Sequence, residues 1–159
     1  MKKAILGITM LFMFSLAACA GIDDFAKDEF AAAFEALEDE LSGVEVTHVE
    51  WKAADKYGVY EDGEIVVEEV VYGMTVNHDM YQYAIVYVEA EDMGATNYTV
   101  ELFEDESNYL DAYSDWEYEL SEDAFNETLE ERGDLEEISR TYESETGEYD
   151  QDTIENLLD

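Results

Sequence analysis

Two histidines, His48 and His78, are the side chains of this chain best suited to metal binding or proton transfer. His48 falls in a stretch predicted to form a strand, and His78 lies in the turn Asn77-His78-Asp79. Neighbouring strands could bring His48, His78 and Asp79 together to hold zinc. However, the chain has neither the two-histidine helix spacing of a zinc site nor a cluster of cysteine and histidine. The sequence therefore favours two isolated histidines, and we predict no metal site and no cofactor.

The acidic side chains are too numerous for their spacing to mark a catalytic pair. With 43 Asp and Glu in 159 residues, close pairs arise by chance, and only burial would make one informative. The acidic stretches Glu61–Glu64 and Glu143–Asp152 contain glycine, but neither has the alternating oxygen ligands of a calcium loop. The sequence also has no G-x-S-x-G motif and no glycine-rich phosphate loop. We therefore expect loosely bound cations and no enzyme activity.

Aromatic side chains are the remaining candidates for a binding site. Tyr81, Tyr83 and Tyr87 share one face of a predicted strand and could line a ligand groove together with Trp51. Tyrosine combines a large contact area with a polar tip, which suits recognition surfaces. The alternative, which the sequence favours, is that these rings belong to the core and its edge.

Hydrophobic periodicity predicts the elements that position these side chains. One apolar stripe predicts an N-terminal amphipathic helix over 23–41, followed by a run of strands. The strands are expected at 44–52 (with a bulge near His48), 65–76, 80–90 and 97–104, and an Asp-Gly turn at Glu61–Glu64 favours a hairpin. Apolar residues on both faces of 80–90 indicate a central strand. Short loops between these strands favour an antiparallel meander.

The last third of the chain is predicted to be mainly helical. Ser107 and Ser121 are candidate helix caps, 138–142 alternates like a fifth strand, and 152–158 reads as a short terminal helix. The expected fold class is α+β: an N-terminal amphipathic helix, an antiparallel sheet of about four or five strands, and C-terminal helices, with the helices on one face of the sheet. No break in composition divides residues 19–159, so we expect a single domain there.

The only cysteine, Cys19, follows a leader with the features of an export signal. Two lysines give the leader a positive start, and the apolar run over 4–16 is too short to span a bilayer. Leu16-Ala17-Ala18-Cys19 resembles the lipobox of bacterial lipoproteins. The resemblance covers the leader only. It implies a signal peptide at 1–18 and lipidation of Cys19, whose acyl chains would hold the domain at the membrane.

The same residues allow a second interpretation of the leader. Ala18-Cys19-Ala20 is an A-x-A pattern, at which an ordinary signal peptidase would release a soluble protein. The lipobox interpretation is preferred because the mature chain offers Cys19 no partner for a disulfide. In Gram-negative lipoproteins an Asp after the lipidated cysteine commonly signals inner-membrane retention, and Ala20 stands there instead. The expected location is therefore the cell envelope, at an outer membrane or the cell surface.

The mature chain is extremely acidic. Two of the seven basic residues lie in the leader and all 43 acidic residues follow it, so 19–159 carries a formal net charge of −38. Spread over the ~7,400 Å² expected for a folded domain of this size, the charges lie about 14 Å apart. The Debye length is ~10 Å at 0.1 M salt and ~3 Å at 1 M, so their repulsion fades only in strong salt. A composition that is 47% hydrophobic argues against a disordered acidic tail. We therefore interpret the acids as adaptation to brine.

These observations leave three classes of function. The first is a membrane-anchored surface lipoprotein of a salt-adapted bacterium that acts as a non-enzymatic binding or envelope-interaction module, with diffuse acids and no cleft. The second is a small inhibitor or immunity-type lipoprotein that captures a cationic enzyme or toxin on an acidic patch. The third is an envelope hydrolase, which needs a buried, pKa-shifted carboxylate or histidine in a cleft. Candidate partners are the membrane, a cationic protein and loosely bound cations, whereas the charge disfavours nucleic acid.

Overall fold

The computed structural model describes residues 21–91, 96–134 and 138–159. Cys19 and the rest of the leader lie outside the described residues. The elements are α1 (Ile22–Glu40), β1 (Glu45–Tyr60), β2 (Gly63–Asn77), β3 (Tyr83–Glu91), β4 (Thr96–Phe103), α2 (Glu106–Glu119), α3 (Glu122–Glu130), β5 (Ser139–Tyr149) and α4 (Gln151–Leu158). Within these described ranges, no helix has the length and apolar character needed to cross a membrane.

The five strands form one antiparallel sheet in the order β4-β3-β2-β1-β5. The first four strands make a meander, and β5 returns from the end of the chain to pair with β1. The β1–β2 hairpin closes tightly, since Tyr60 pairs with Gly63 across the loop Glu61-Asp62. A register shift between Val46 and His48 places a bulge in β1. The meander, the hairpin, the bulge and the α+β class are all confirmed.

Side-chain caps begin three of the helices. Asp105, Ser121 and Asp150 each accept a hydrogen bond from the backbone N–H three residues later, which satisfies a donor that the first helical turn leaves unpaired. The cap expected at Ser121 is confirmed. The prediction of Ser107 is wrong, because helix α2 begins at Glu106 and Asp105 holds the amide of Asn108 at 2.9 Å. A carboxylate also interacts favourably with the positive end of a helix.

Helix α1 covers the central strands on one face of the sheet. Its stripe Ala26, Phe30, Ala33 and Leu37 is buried against alternate residues of β1, β2 and β3. The ring of Tyr72 is fully buried beneath it, and its hydroxyl donates to the carbonyl oxygen of Ala26. The short helix α4 adds Ile154 to the same core.

The prediction that the helices share one face of the sheet is wrong. Helices α2 and α3 pack on the face opposite α1, where Tyr109 and Tyr113 of α2 cover Val71 and Ile85. Phe125 and Leu129 of α3 cover the hairpin end. The reason is that the central strands are apolar on both faces, and an apolar face left open to water would be unfavourable.

Candidate functional site

An open cleft of about 740 Å³ lies on the α2/α3 face, at the end of the sheet where β1 turns into β2. Strands β1, β2 and β3 form its floor, and helices α2 and α3 form its sides. Its walls include the apolar or aromatic side chains Ile65, Trp116 and Phe125. Its charged lining consists of Lys56, Glu64, Glu69, Glu89, Glu91, Glu119 and Arg132. The expectation of a surface without a cleft is therefore wrong.

A buried ion pair forms the floor of the cleft. Lys56 of β1 and Glu69 of β2 are only 6% and 8% exposed, and the Lys56 Nζ lies 2.6 Å from the Glu69 Oε2. The Lys56 Nζ also donates to the backbone carbonyl of Glu119 at 2.9 Å, and the Nζ of Lys52 donates to that of Glu117 at 3.0 Å. These carbonyls belong to the last turn of α2, the negative end of the helix dipole. The two lysines thus fix the end of α2 over the sheet.

Tyr87 of β3 connects the ion pair to the opening of the cleft. Its hydroxyl lies 2.9 Å from the Glu69 Oε1 and 3.1 Å from the Glu89 Oε2. Burial, and then the charge of Glu69, raise the pKa of Tyr87 well above its usual value, so the phenol keeps its proton. The Tyr87 hydroxyl proton is shared between the carboxylates of Glu69 and Glu89, and the Lys56 ammonium contacts the other oxygen of Glu69. Both Glu69 oxygens are therefore engaged.

A stacked aromatic pair forms one wall of the cleft. The ring of Trp116 stacks on Tyr87 with centroids 4.3 Å apart, and its indole N–H donates to Glu101 at 3.3 Å. The rim carries the exposed carboxylate of Glu91. A cation also lies there, since the Arg132 guanidinium sits 5.7 Å from the centre of the Tyr60 ring. The cleft therefore combines an aromatic surface with an excess of negative charge.

The structure does not bring the predicted aromatic groove together. Trp51 pairs across the sheet with Tyr72, which in turn pairs with Val86, so Trp51 lies on the face covered by α1 and is 3% exposed. Tyr83 and Tyr87 point to the opposite face. The prediction of one groove is wrong because the strand register places Trp51 on one face of the sheet and Tyr83 and Tyr87 on the other.

The three tyrosines themselves have different surroundings. Tyr83 stacks on Tyr109 of α2 at 4.8 Å and packs at the edge of the core, as the alternative interpretation expected. Tyr81 lies before the start of β3, with its ring 6.0 Å from that of His78. Of the four residues, the cleft includes Tyr87.

The two histidines occupy separate local environments. The His48 Nε2 lies 3.9 Å from the Glu148 Oε1. The His78 Nδ1 accepts a hydrogen bond from the amide of Met80 at 3.1 Å, in the turn that also contains Asp79. Across the part of the chain that the structure describes, no three side chains of His, Cys, Asp or Glu are grouped so that they could hold a metal ion.

A row of carboxylates crosses the other face of the sheet. Glu143 of β5, Asp55 of β1 and Glu68 of β2 are successive cross-strand partners. Burial, and then the neighbouring Glu143 charge, raise the pKa of Asp55. Burial, and then the charges of Asp55 and Glu29, raise the pKa of Glu68. Because a raised pKa means that the ionised form is disfavoured in the folded state, this row opposes folding at neutral pH.

We expect Glu68→Gln to stabilise the protein at pH 7 and low salt by roughly 0.5 kcal/mol. The folded state binds more protons at Glu68 than the unfolded state does. Protonation of Glu68 therefore stabilises the folded state. This stabilisation is complete below the unfolded pKa, near 4.5, and is lost as the pH rises through the raised folded value. Glutamine cannot ionise, so the gain should disappear near pH 4. Urea unfolding at both pH values, in ~0.1 M and ~2 M KCl, measures it.

Glu61→Gln is the matched control, since it makes the same charge change at an exposed position in the hairpin loop. It should give a smaller gain at pH 7. Equal gains from both variants would mean that net charge, and not the carboxylate row, limits stability.

Comparison with protein-family models, with curated proteins and with solved structures finds no match to this chain. The cleft therefore has to be interpreted from its own geometry. Sequence reasoning missed Lys56, Glu69 and Trp116. One signal was present, because Lys52 and Lys56 are two of the few cations in a very acidic chain and lie four residues apart beyond the apolar part of a predicted strand.

Proposed function

We propose that this chain is a non-enzymatic binding module of the cell envelope, exported and anchored through lipid on Cys19, in a salt-adapted bacterium. The leader and the single cysteine support the anchor, and the acidity of the chain supports the adaptation to salt. The open cleft between the sheet and helices α2 and α3 carries the binding role, although this function class was expected from the sequence to have diffuse acids and no cleft. Its volume is within the range of small-ligand sites, about 300–1,000 Å³.

The contacts of Glu69 favour binding over catalysis. A general base or nucleophile needs an oxygen within reach of the substrate. Lys56 and Tyr87 occupy the two oxygens of Glu69 at 2.6 and 2.9 Å, and both histidines lie outside the cleft lining. An envelope hydrolase that uses Glu69 would have to break this pairing first. The inhibitor or immunity-type function stays a second candidate, because the acids and aromatic rings of the cleft suit a cationic partner.

Cys19→Ser tests the anchor directly. We expect the wild-type chain, expressed in a bacterial host, to incorporate labelled palmitate and to sediment with membranes. The variant should lose the label and most of its membrane association, since serine offers no thiol for acylation.

Ser15→Ala is the matched control for a change within the leader and should leave both readouts unaltered. A Cys19→Ser variant that stays membrane-bound would contradict lipid anchoring. A wild-type chain released without label would instead support cleavage after Ala20.

A further inference from the structure

We propose that the cleft between the sheet and helices α2 and α3 binds an alkyl cation, an ammonium or guanidinium group carried on an aliphatic chain. This inference rests on the proposed binding role of the cleft and names its ligand class. The source is either a free polyamine or a basic side chain of a peptide, because both present the same chemistry.

The charge of the cleft selects a cation. Its lining residues include two cations and five glutamates, of which Glu64 has its side chain on the other face of the sheet and Glu69 is paired at the floor. One of those cations, Lys56, is already neutralised at the floor by Glu69. The other, Arg132, packs over the ring of Tyr60 at the rim.

The aromatic wall selects a cation with an apolar body. Trp116 and Tyr87 are stacked at 4.3 Å, and Phe125 and Ile65 continue the apolar surface. An aliphatic chain gains by removing such a surface from water, and aromatic faces attract ammonium and guanidinium groups. A strongly hydrated inorganic cation gains nothing from this wall.

The spacing of the carboxylates also argues against a metal ion. Calcium needs six to eight oxygen ligands at about 2.3–2.6 Å, and magnesium needs an octahedral set. Among the described residues there is no group of three potential ligand side chains close enough to hold a metal. Glu91 of β3 and Glu119 of α2 belong to different elements that line the cleft, which fits a ligand that extends along it.

The test is calorimetric titration of the full chain, in non-ionic detergent and 0.1 M KCl, with spermine and with a tetra-arginine peptide. Calcium chloride at equal ionic strength is the third titrant. We expect saturable one-to-one binding of at least one organic cation, accompanied by a change in tryptophan emission. Trp116 should be the source of that change, because Trp51 is buried on the opposite face.

Two double variants locate the site. Glu91→Gln/Glu119→Gln removes two exposed charges of the cleft and should weaken binding about fivefold or more. Glu38→Gln/Glu40→Gln makes the same charge change at exposed positions of α1, on the other face, and should alter affinity less than about twofold. Unfolding curves show whether each variant is folded.

Each outcome decides the proposal. Tighter binding of spermine identifies a free polyamine, and tighter binding of the peptide identifies a protein segment. If both double variants weaken binding equally, the cation does not bind in the cleft but is held by general charge attraction. If neither spermine nor the peptide binds saturably, or if calcium binds stoichiometrically, the assignment of an alkyl cation as the ligand is wrong. Palmitate labelling tests the lipid anchor independently, so a failure of anchoring can be distinguished from a failure of cation binding.

Discussion

Lys56→Met should lower the free energy of unfolding by about 3 kcal/mol, because it leaves the carboxylate of Glu69 buried without its counter-charge. Glu69 is 8% exposed, and its distance to the Lys56 Nζ is 2.6 Å. The same substitution removes the hydrogen bond that holds the end of α2 at the Glu119 carbonyl. Urea unfolding at pH 7 in 1 M KCl measures the loss with the surface charges screened.

Two further variants separate the ion pair from general effects of charge. Lys27→Met also removes one positive charge, but the Lys27–Asp23 pair is exposed and should contribute far less to stability. The double variant Lys56→Met/Glu69→Leu should recover most of the loss, because no unpaired charge then remains buried. If Lys56→Met and Lys27→Met cost the same, the buried pair has no special role in stability.

Gly147→Ala is expected to destabilise the protein by about 1–3 kcal/mol through overpacking. Gly147 of β5 pairs with Trp51 of β1, and the indole lies across the glycine. A Cβ built at this position would lie 2.5 Å from the Trp51 Cζ2 and 2.6 Å from its Cε2. The ring cannot move freely, because it is 3% exposed and packs beside Tyr149 at a centroid distance of 6.0 Å. Thermal or urea unfolding measures the effect.

A cycle with Trp51→Phe tests the cause. The smaller ring lacks the crowded indole atoms, so the two substitutions together should cost clearly less than the sum of their separate effects. Gly133→Ala is the matched control, since the nearest atom to its new Cβ lies at 3.9 Å. Strict additivity of Gly147→Ala and Trp51→Phe would rule out steric conflict between them.

Periodicity predicted the elements well where one type of residue dominates a face. Helix α1, the bulge at His48 and the central strand β3 were all visible, because apolar residues recur there at regular spacing. Strand β1 was predicted to end at Lys52, yet it continues to Tyr60. The continuation was hidden because Asp55 and Lys56 look like loop residues. Lys56 is stabilised within the sheet by Glu69 of another strand and by the Glu119 carbonyl of α2, partners that local sequence cannot reveal.

The cleft could not be predicted for a related reason. It depends on three elements meeting, with Lys56 on β1, Tyr87 on β3 and Trp116 on α2. From the sequence, Trp51 was a possible partner for the tyrosines. Alternation shows which residues of a strand share a face, but it does not show which face of the neighbouring strand lies on the same side of the sheet. That choice is made by register, and here the pairing of Trp51 with Tyr72 decides it.

The position of β5 in the sheet has a consequence for the order of folding. Val49 pairs with Tyr149, so the contact closes a loop of about one hundred residues, at an entropic cost on the order of 4 kcal/mol. The meander β1–β4 is built from hairpins and can form earlier, with the long edge of β1 still unpaired. Until the last twenty or so residues emerge, that edge is open to other chains, and a shortened chain would keep it open. Once the C-terminal segment pairs, β5 takes over the edge position, and its exposed glutamates make it a poorer template for another chain than the edge of β1.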